Sequence, residues 1–160
     1  MVKLSMKIAL KWGKPLLLTD GSQLNQIYLC RGLERLPWKP GVYVFARKFG
    51  KNVVPLYIGQ ASKLRGRIEG QFNNLRLMMG IKNAQAGRRI LLAARLYLRR
   101  GQQRSKVLDI VESALIKNAL AQGHDLLNQQ GTKTRVHVIR SQGNDSSRQV
   151  APLTMFAERK

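Results

Sequence analysis

The chain has 160 residues, with 29 Lys+Arg against 8 Asp+Glu and a formal net charge of +21. That length fits one domain with its own core, and that charge opposes compaction unless a polyanion neutralises it. The single cysteine, Cys30, excludes an intramolecular disulfide and a cysteine-rich zinc site, and no apolar run reaches the length of a membrane span.

Residues 4–10 and 15–18 are apolar and are interrupted by "KWGK". They fit two short strands or an arm packed on the domain. Over 22–36, Leu24, Ile27, Tyr28, Leu29, Leu33 and Leu36 mostly keep a helical period, which predicts a helix opened by Ser22. "LPWKPG" (36–41) stops it, because prolines and glycine disfavour its continuation.

"GVYVFARKFGKNVVPLYIG" (41–59) reads as a β-hairpin, rich in Val, Tyr, Phe and Ile around the turn residues "FGKN". Pro55 cannot donate to a ladder, so the second strand is expected at a sheet edge or with a bulge. A turn centred near Gly50 would set Tyr43 opposite Tyr57; a one-residue shift at Pro55 would separate them. A helix follows from about Ser62, its expected cap, with Leu64, Ile68 and Phe72 buried. Lys63, Arg67 and Gln71 recur at i, i+4 and i+8 on a neighbouring stripe.

Residues 73–90 show no clear pattern. Residues 88–100 are ambiguous, and a third strand is expected near 91–99. "SKVLDIVESALIKNALAQG" (105–123) reads as a helix with Gly123 past its end, and "TRVHVIRS" (134–141) alternates like a strand. "SQGNDSSRQ" (141–149) reads as a polar loop before a mobile tail. The expected organisation is an N-terminal extension (1–40) packed on a core (41–132), then a C-terminal strand and tail (133–160).

Charge makes nucleic acid the first expected partner, through counterion release, and an anionic membrane the second. Arg88, Arg89, Arg95, Arg99, Arg100 and Arg104 are expected on the nucleic-acid backbone, where cations give affinity rather than sequence choice. Trp12 and Trp38 read as packing anchors, and His124 and His137 as ordinary polar residues. With no signal-peptide core in the first twenty residues, an intracellular, reducing location is expected.

Glu112 is the most informative residue. Carboxylates are scarce, and this one sits within an apolar helix face beside Leu108, Leu115 and Ile116. A carboxylate in such surroundings needs a partner. Two remain open on residue type: an arginine, or a hard cation such as Mg²⁺, which takes one or two protein carboxylates plus phosphate and water.

Gly41-Val42-Tyr43 followed by Tyr57-Ile58-Gly59 resembles the signature of the GIY-YIG nuclease superfamily. Arg67 on the next helix, Glu112 opening "ESALI", and Asn128 closing "LLN" stand in the order in which that family places its arginine, metal-binding glutamate and bracing asparagine. The pattern covers residues 41–128. The gap between the two tripeptides is longer than usual, and Gln71 stands where many members carry His or Tyr.

The resemblance implies an α/β (α+β) fold, a small antiparallel three-stranded sheet flanked by helices. It also implies divalent-metal-dependent hydrolysis of DNA phosphodiester bonds by an endonuclease, with Mg²⁺ (or Mn²⁺) on Glu112. Arg67 would hold the scissile phosphate, and Tyr43, helped by Tyr57, would take a proton from water once cations lower its pKa. Asn128 would order the site, Lys63 would be an extra phosphate contact, and Gln71 is expected among the residues that bind nucleic acid. The expected substrate is double-stranded DNA, bound by a monomer or homodimer without a membrane. Gln71 cannot act as a general base, which keeps open a non-catalytic nucleic-acid-binding module on the same scaffold.

Overall fold

The structure, a computed structural model, describes residues 6–129 and 135–159. It is a mixed α+β fold. One antiparallel sheet holds six strands: β1 (Ala9–Trp12), β2 (Leu16–Asp20), β3 (Tyr28–Cys30), β4 (Gly41–Phe49), β5 (Asn52–Ala61) and β6 (Arg88–Tyr97). The order is β3-β2-β6-β4-β5, with β1 also on β6. The described residues hold four α-helices: α1 (Leu64–Gln71) and α2 (Leu75–Asn83) between β5 and β6, then α3 (Arg104–Ala121) and α4 (Asp145–Val150). β7 (Arg135–Arg140) and β8 (Thr154–Arg159) form a separate antiparallel pair.

Period-two alternation divides the core between the sheet's two faces. Tyr43, Phe45 and Leu91 point one way and pack with Leu64, Ile68, Met78 and Ile81 of α1 and α2. Val42, Val44, Ile90, Ala94 and Leu96 point the other way, against Val107, Leu108, Val111 and Ala119 of α3. Among the described residues no helix is long and apolar enough to cross a membrane.

Several expectations are corrected. The sheet has six strands rather than three, because segments of residues 6–40 pair into it: β1 and β2 lie on β6, and β3 on β2. The helix expected over 22–36 is absent. Asn25 and Gly32 have positive φ (56° and 96°), which breaks a helical run, and Tyr28, Leu29 and Cys30 pair instead with Asp20, Thr19 and Leu18. The loop expected over 141–149 contains α4, whose Asn144 Oδ1 accepts the Ser147 N–H at 3.0 Å. The expected tail supplies β8. The boundary expected between 132 and 133 lies outside the described residues.

Pro55 produces both of its expected consequences. β5 is a sheet edge, and its register shifts between Phe45 and Ala46. The hairpin turn is Gly50-Lys51, so Tyr43 pairs with Gly59 and Phe45 with Tyr57. Tyr43 is therefore not opposite Tyr57, as a turn near Gly50 predicted, and the shift does not separate the two as expected but keeps them on one face. A register continued from Ala46–Pro55 would have sent Tyr57 to the α3 face. With the bulge, its ring stacks 6.2 Å from that of Tyr43 at an interplanar angle of 30°.

α1 begins without its expected Ser62 cap. Carbonyls of the 37–39 segment substitute: Lys39 O accepts from the Leu64 N–H at 2.9 Å, and Pro37 O from the Arg65 N–H at 3.1 Å. Arg89 is also corrected. It is buried, and its guanidinium donates to the carbonyls of Ile81, Ala84 and Gly87, each at 2.9 Å. It closes the C-terminal end of α2 and is not on the surface where it was expected.

Candidate active site

A cleft of about 800 Å³ opens between the end of β5, α1 and the first turns of α3. Tyr43, Tyr57, Lys63, Arg67, Arg104 and Glu112 all line it. The strands supply the tyrosines, α1 supplies Arg67, and α3 supplies Arg104 and Glu112, two helical turns apart. Residues distant in sequence are brought together because the β4–β5 hairpin is sandwiched between those helices.

Two glycines explain themselves by contact. A Cβ at Gly59 would fall onto the ring of Tyr43, its cross-strand partner. A Cβ at Gly41 would meet the Ala94 carbonyl and the side chain of Leu64. Gly59→Ala is therefore expected to destabilise the protein by about 1–3 kcal/mol through overpacking. Urea unfolding should show a lower midpoint with an unchanged slope. An unchanged midpoint would mean that the Tyr43 ring yields freely.

Gln71 lies behind the cleft and does not line it. The side chain is 9 % exposed, and its Nε2 donates to the Tyr43 hydroxyl at 2.7 Å. Its Oε1 accepts from Asn74 Nδ2 at 3.1 Å, and Asn74 Oδ1 accepts from the Leu77 N–H at 3.1 Å. The N-cap of α2 thus fixes the amide so that its N–H, not its carbonyl, meets the phenol. Gln71, expected among the nucleic-acid-binding residues, is buried here and holds Tyr43.

Burial pushes the Tyr43 phenol up to about 12, and Gln71 and the positive charge of Arg67 act against that rise. Tyr43 is therefore protonated at neutral pH, and as it stands it is a donor rather than a base. Glu112 is half-buried, and desolvation raises its pKa above the ordinary value of 4.5; the negative charge of Asp109 adds to this, while Gln60 and Arg67 oppose it. Gln60 Nε2 also donates to Asp109 Oδ1 at 2.6 Å.

Glu112 suits a hard cation chemically: it is a half-buried carboxylate in a cleft that Lys63, Arg67 and Arg104 also line. Among the described residues, no group of three or more His, Cys, Asp or Glu could hold a metal. A cation on Glu112 would therefore take its remaining ligands from phosphate and water.

Asn128 stands outside the cleft and donates from Nδ2 to the Ile58 carbonyl at 2.8 Å, tying the segment after α3 to β5. Arg88, Arg95, Arg99 and Arg100 do not line the cleft. Arg88, Arg99 and Arg100 are exposed elsewhere, and Arg95 lines a second cleft.

Two participants were not singled out from the sequence. Gln60 follows the Tyr57-Ile58-Gly59 tripeptide directly. Asp109 lies one turn before Glu112, a spacing that was visible among so few carboxylates. Trp38, expected as a packing anchor, lies with its ring over Gly66 and with Arg65 5.5 Å from its centroid, while remaining 54 % exposed. Comparison of the chain with family models, with curated proteins and with solved structures returned no match.

Proposed function

We propose that the protein is a divalent-metal-dependent endonuclease of the GIY-YIG type, hydrolysing phosphodiester bonds in DNA. One observation carries this reading: a single cleft gathers the tyrosine pair, Arg67, two further cations and the scarce carboxylate Glu112. The net charge of +21 supplies the attraction for a polyanion.

The roles follow from chemistry. Arg67 presents planar N–H donors to the phosphate and to the charge that grows in the transition state. Lys63 and Arg104 hold flanking phosphates. Glu112 holds the cation, which as a Lewis acid would stabilise charge on the leaving oxygen. Tyr43 accepts a proton from water only when positive charge in the cleft offsets its burial. Arg67 already acts in that direction, and Gln71 steadies the phenolate by donating an N–H to its oxygen. Tyr57, stacked beside it, keeps the ring in place.

Supercoiled plasmid tests the reading. With Mg²⁺ or Mn²⁺ the protein is expected to nick or linearise it, and EDTA should abolish the reaction without releasing the DNA. The resting protonation of Tyr43 favours a second reading, a binding module without catalysis. Plasmid left intact in both metals, with gel-shift binding retained, would establish that one instead.

A further inference from the structure

A second cleft, of about 360 Å³, lies against β1 and β6, and residues of the 11–37 segment make most of its wall. Its charged lining is Lys11, Lys14, Arg35 and Arg95, with no carboxylate among the lining residues. β1 pairs with β6 so that Lys11 stands directly opposite Arg95. Like charges in that position repel and destabilise a sheet. Arg95 carries a further cost, because its Nε is buried without a hydrogen-bond partner. The guanidinium lies over the Tyr97 ring, 4.5 Å from the centroid. That stacking occupies one face of the cation and leaves its terminal Nη groups, rather than the buried Nε, for an oxyanion.

The stacking on Tyr97 leaves the cross-strand repulsion in place, and one chemistry removes it: an oxyanion seated between Lys11 and the terminal nitrogens of Arg95. We propose that the second cleft is a phosphate site for the backbone of a bound polynucleotide, at a distance along the strand from the phosphate held by Arg67. The two clefts share a wall. Leu36 and Pro37 line the second and Trp38 the first, while at the start of α1 Leu64 lines the second and Lys63 the first. A strand crossing that wall engages both sets of cations. In this way β1, outside the segment that carries the nuclease-like motifs, extends the binding track. The choice of a polynucleotide rests on the proposed function, but the site does not depend on cleavage.

The test is binding in EDTA. A labelled DNA duplex is titrated with protein at several salt concentrations, for the wild type, Lys11→Ala, Arg95→Gln and the double variant. Lys51→Ala, at the far hairpin turn, controls for the loss of a charge. Each lost phosphate contact should reduce the slope of log Kobs against log salt by about one, and the double variant by about two. Lys51→Ala should change it by much less. Thermal melts without DNA should show Lys11→Ala at least as stable as the wild type, because repulsion is relieved. Folded variants whose slopes match that of Lys51→Ala would overturn the proposal.

Inorganic phosphate alone, followed by the amide resonances of Lys11 and Arg95, separates the two sources of the anion. Shifts at millimolar phosphate together with an unchanged duplex slope would mean a free-phosphate site and overturn the assignment. The reduced slope is expected even if plasmid is never cut, so this result and the nuclease reading fail separately.

Discussion

Glu112→Gln is expected to reduce plasmid cleavage by about a thousandfold or more while leaving the metal-free protein as stable as the wild type or more so. The loss follows from the role proposed for the carboxylate. Without a charged oxygen the cation is not held at the scissile phosphate, and its share of transition-state stabilisation, several kcal/mol, disappears. The stability follows from linkage. Desolvation raises the Glu112 pKa in the folded protein above its unfolded value, so folding favours the protonated form. The stability this group contributes is complete below the unfolded value and is lost as pH rises through the folded one. At neutral pH the wild type therefore carries a destabilising carboxylate, and the neutral amide removes it. Cleavage assays and thermal melts from pH 4 to pH 8 check both halves. The gain in melting temperature should shrink toward the acid end, where Glu112 is itself protonated. Full cleavage by the folded variant would remove Glu112 from the mechanism, and a large fall in stability at neutral pH would mean that the carboxylate is held by partners stronger than burial.

The hairpin and α3 were legible because their signals are local. Alternating Val, Tyr and Phe around "FGKN" and the apolar face of 105–123 each decide their own structure. The segment 22–36 was not, since its leucines fit a helical period, while what decides the matter is the pairing of β3 with β2, invisible without knowing that β2 is its neighbour. α2 was missed although Asn74, ahead of "LRLMMGI", is a cap signal. Of the site, the resemblance to the GIY-YIG signature singled out Tyr43, Tyr57, Arg67 and Glu112, and charge singled out Lys63 and Arg104; these six share the cleft. Charge alone could not separate Arg89 from the surface arginines, because what buries it is a set of carbonyls left open at the end of a helix. The same limit hid Lys11, whose significance depends on standing across a strand from Arg95.

Gln71→Leu is expected to damage both folding and chemistry, and the two effects can be read separately. The substitution removes a buried amide that serves two partners, the Tyr43 hydroxyl and Asn74 Nδ2. Leaving both without it costs about 2–4 kcal/mol, visible in urea unfolding. A merely structural role would end there, with the surviving folded fraction cutting DNA at the wild-type pH dependence. The proposed role goes further, because the Gln71 N–H favours the phenolate over the phenol. A hydrogen bond to a charged oxygen is worth about 1.5–3 kcal/mol, so its loss should slow cleavage by about tenfold or more at a fixed pH. The rate should rise with pH in both proteins, since the base is the minor form, and the variant's rise should lie at higher pH. Gln71→His supplies the complementary arm. The imidazole can donate to the same oxygen but titrates near neutrality, so its rate profile should gain a transition between pH 5 and 8 that the wild-type amide cannot produce. Coincident profiles for all three folded proteins would reduce Gln71 to packing and leave Tyr43 without the group that makes it a usable base.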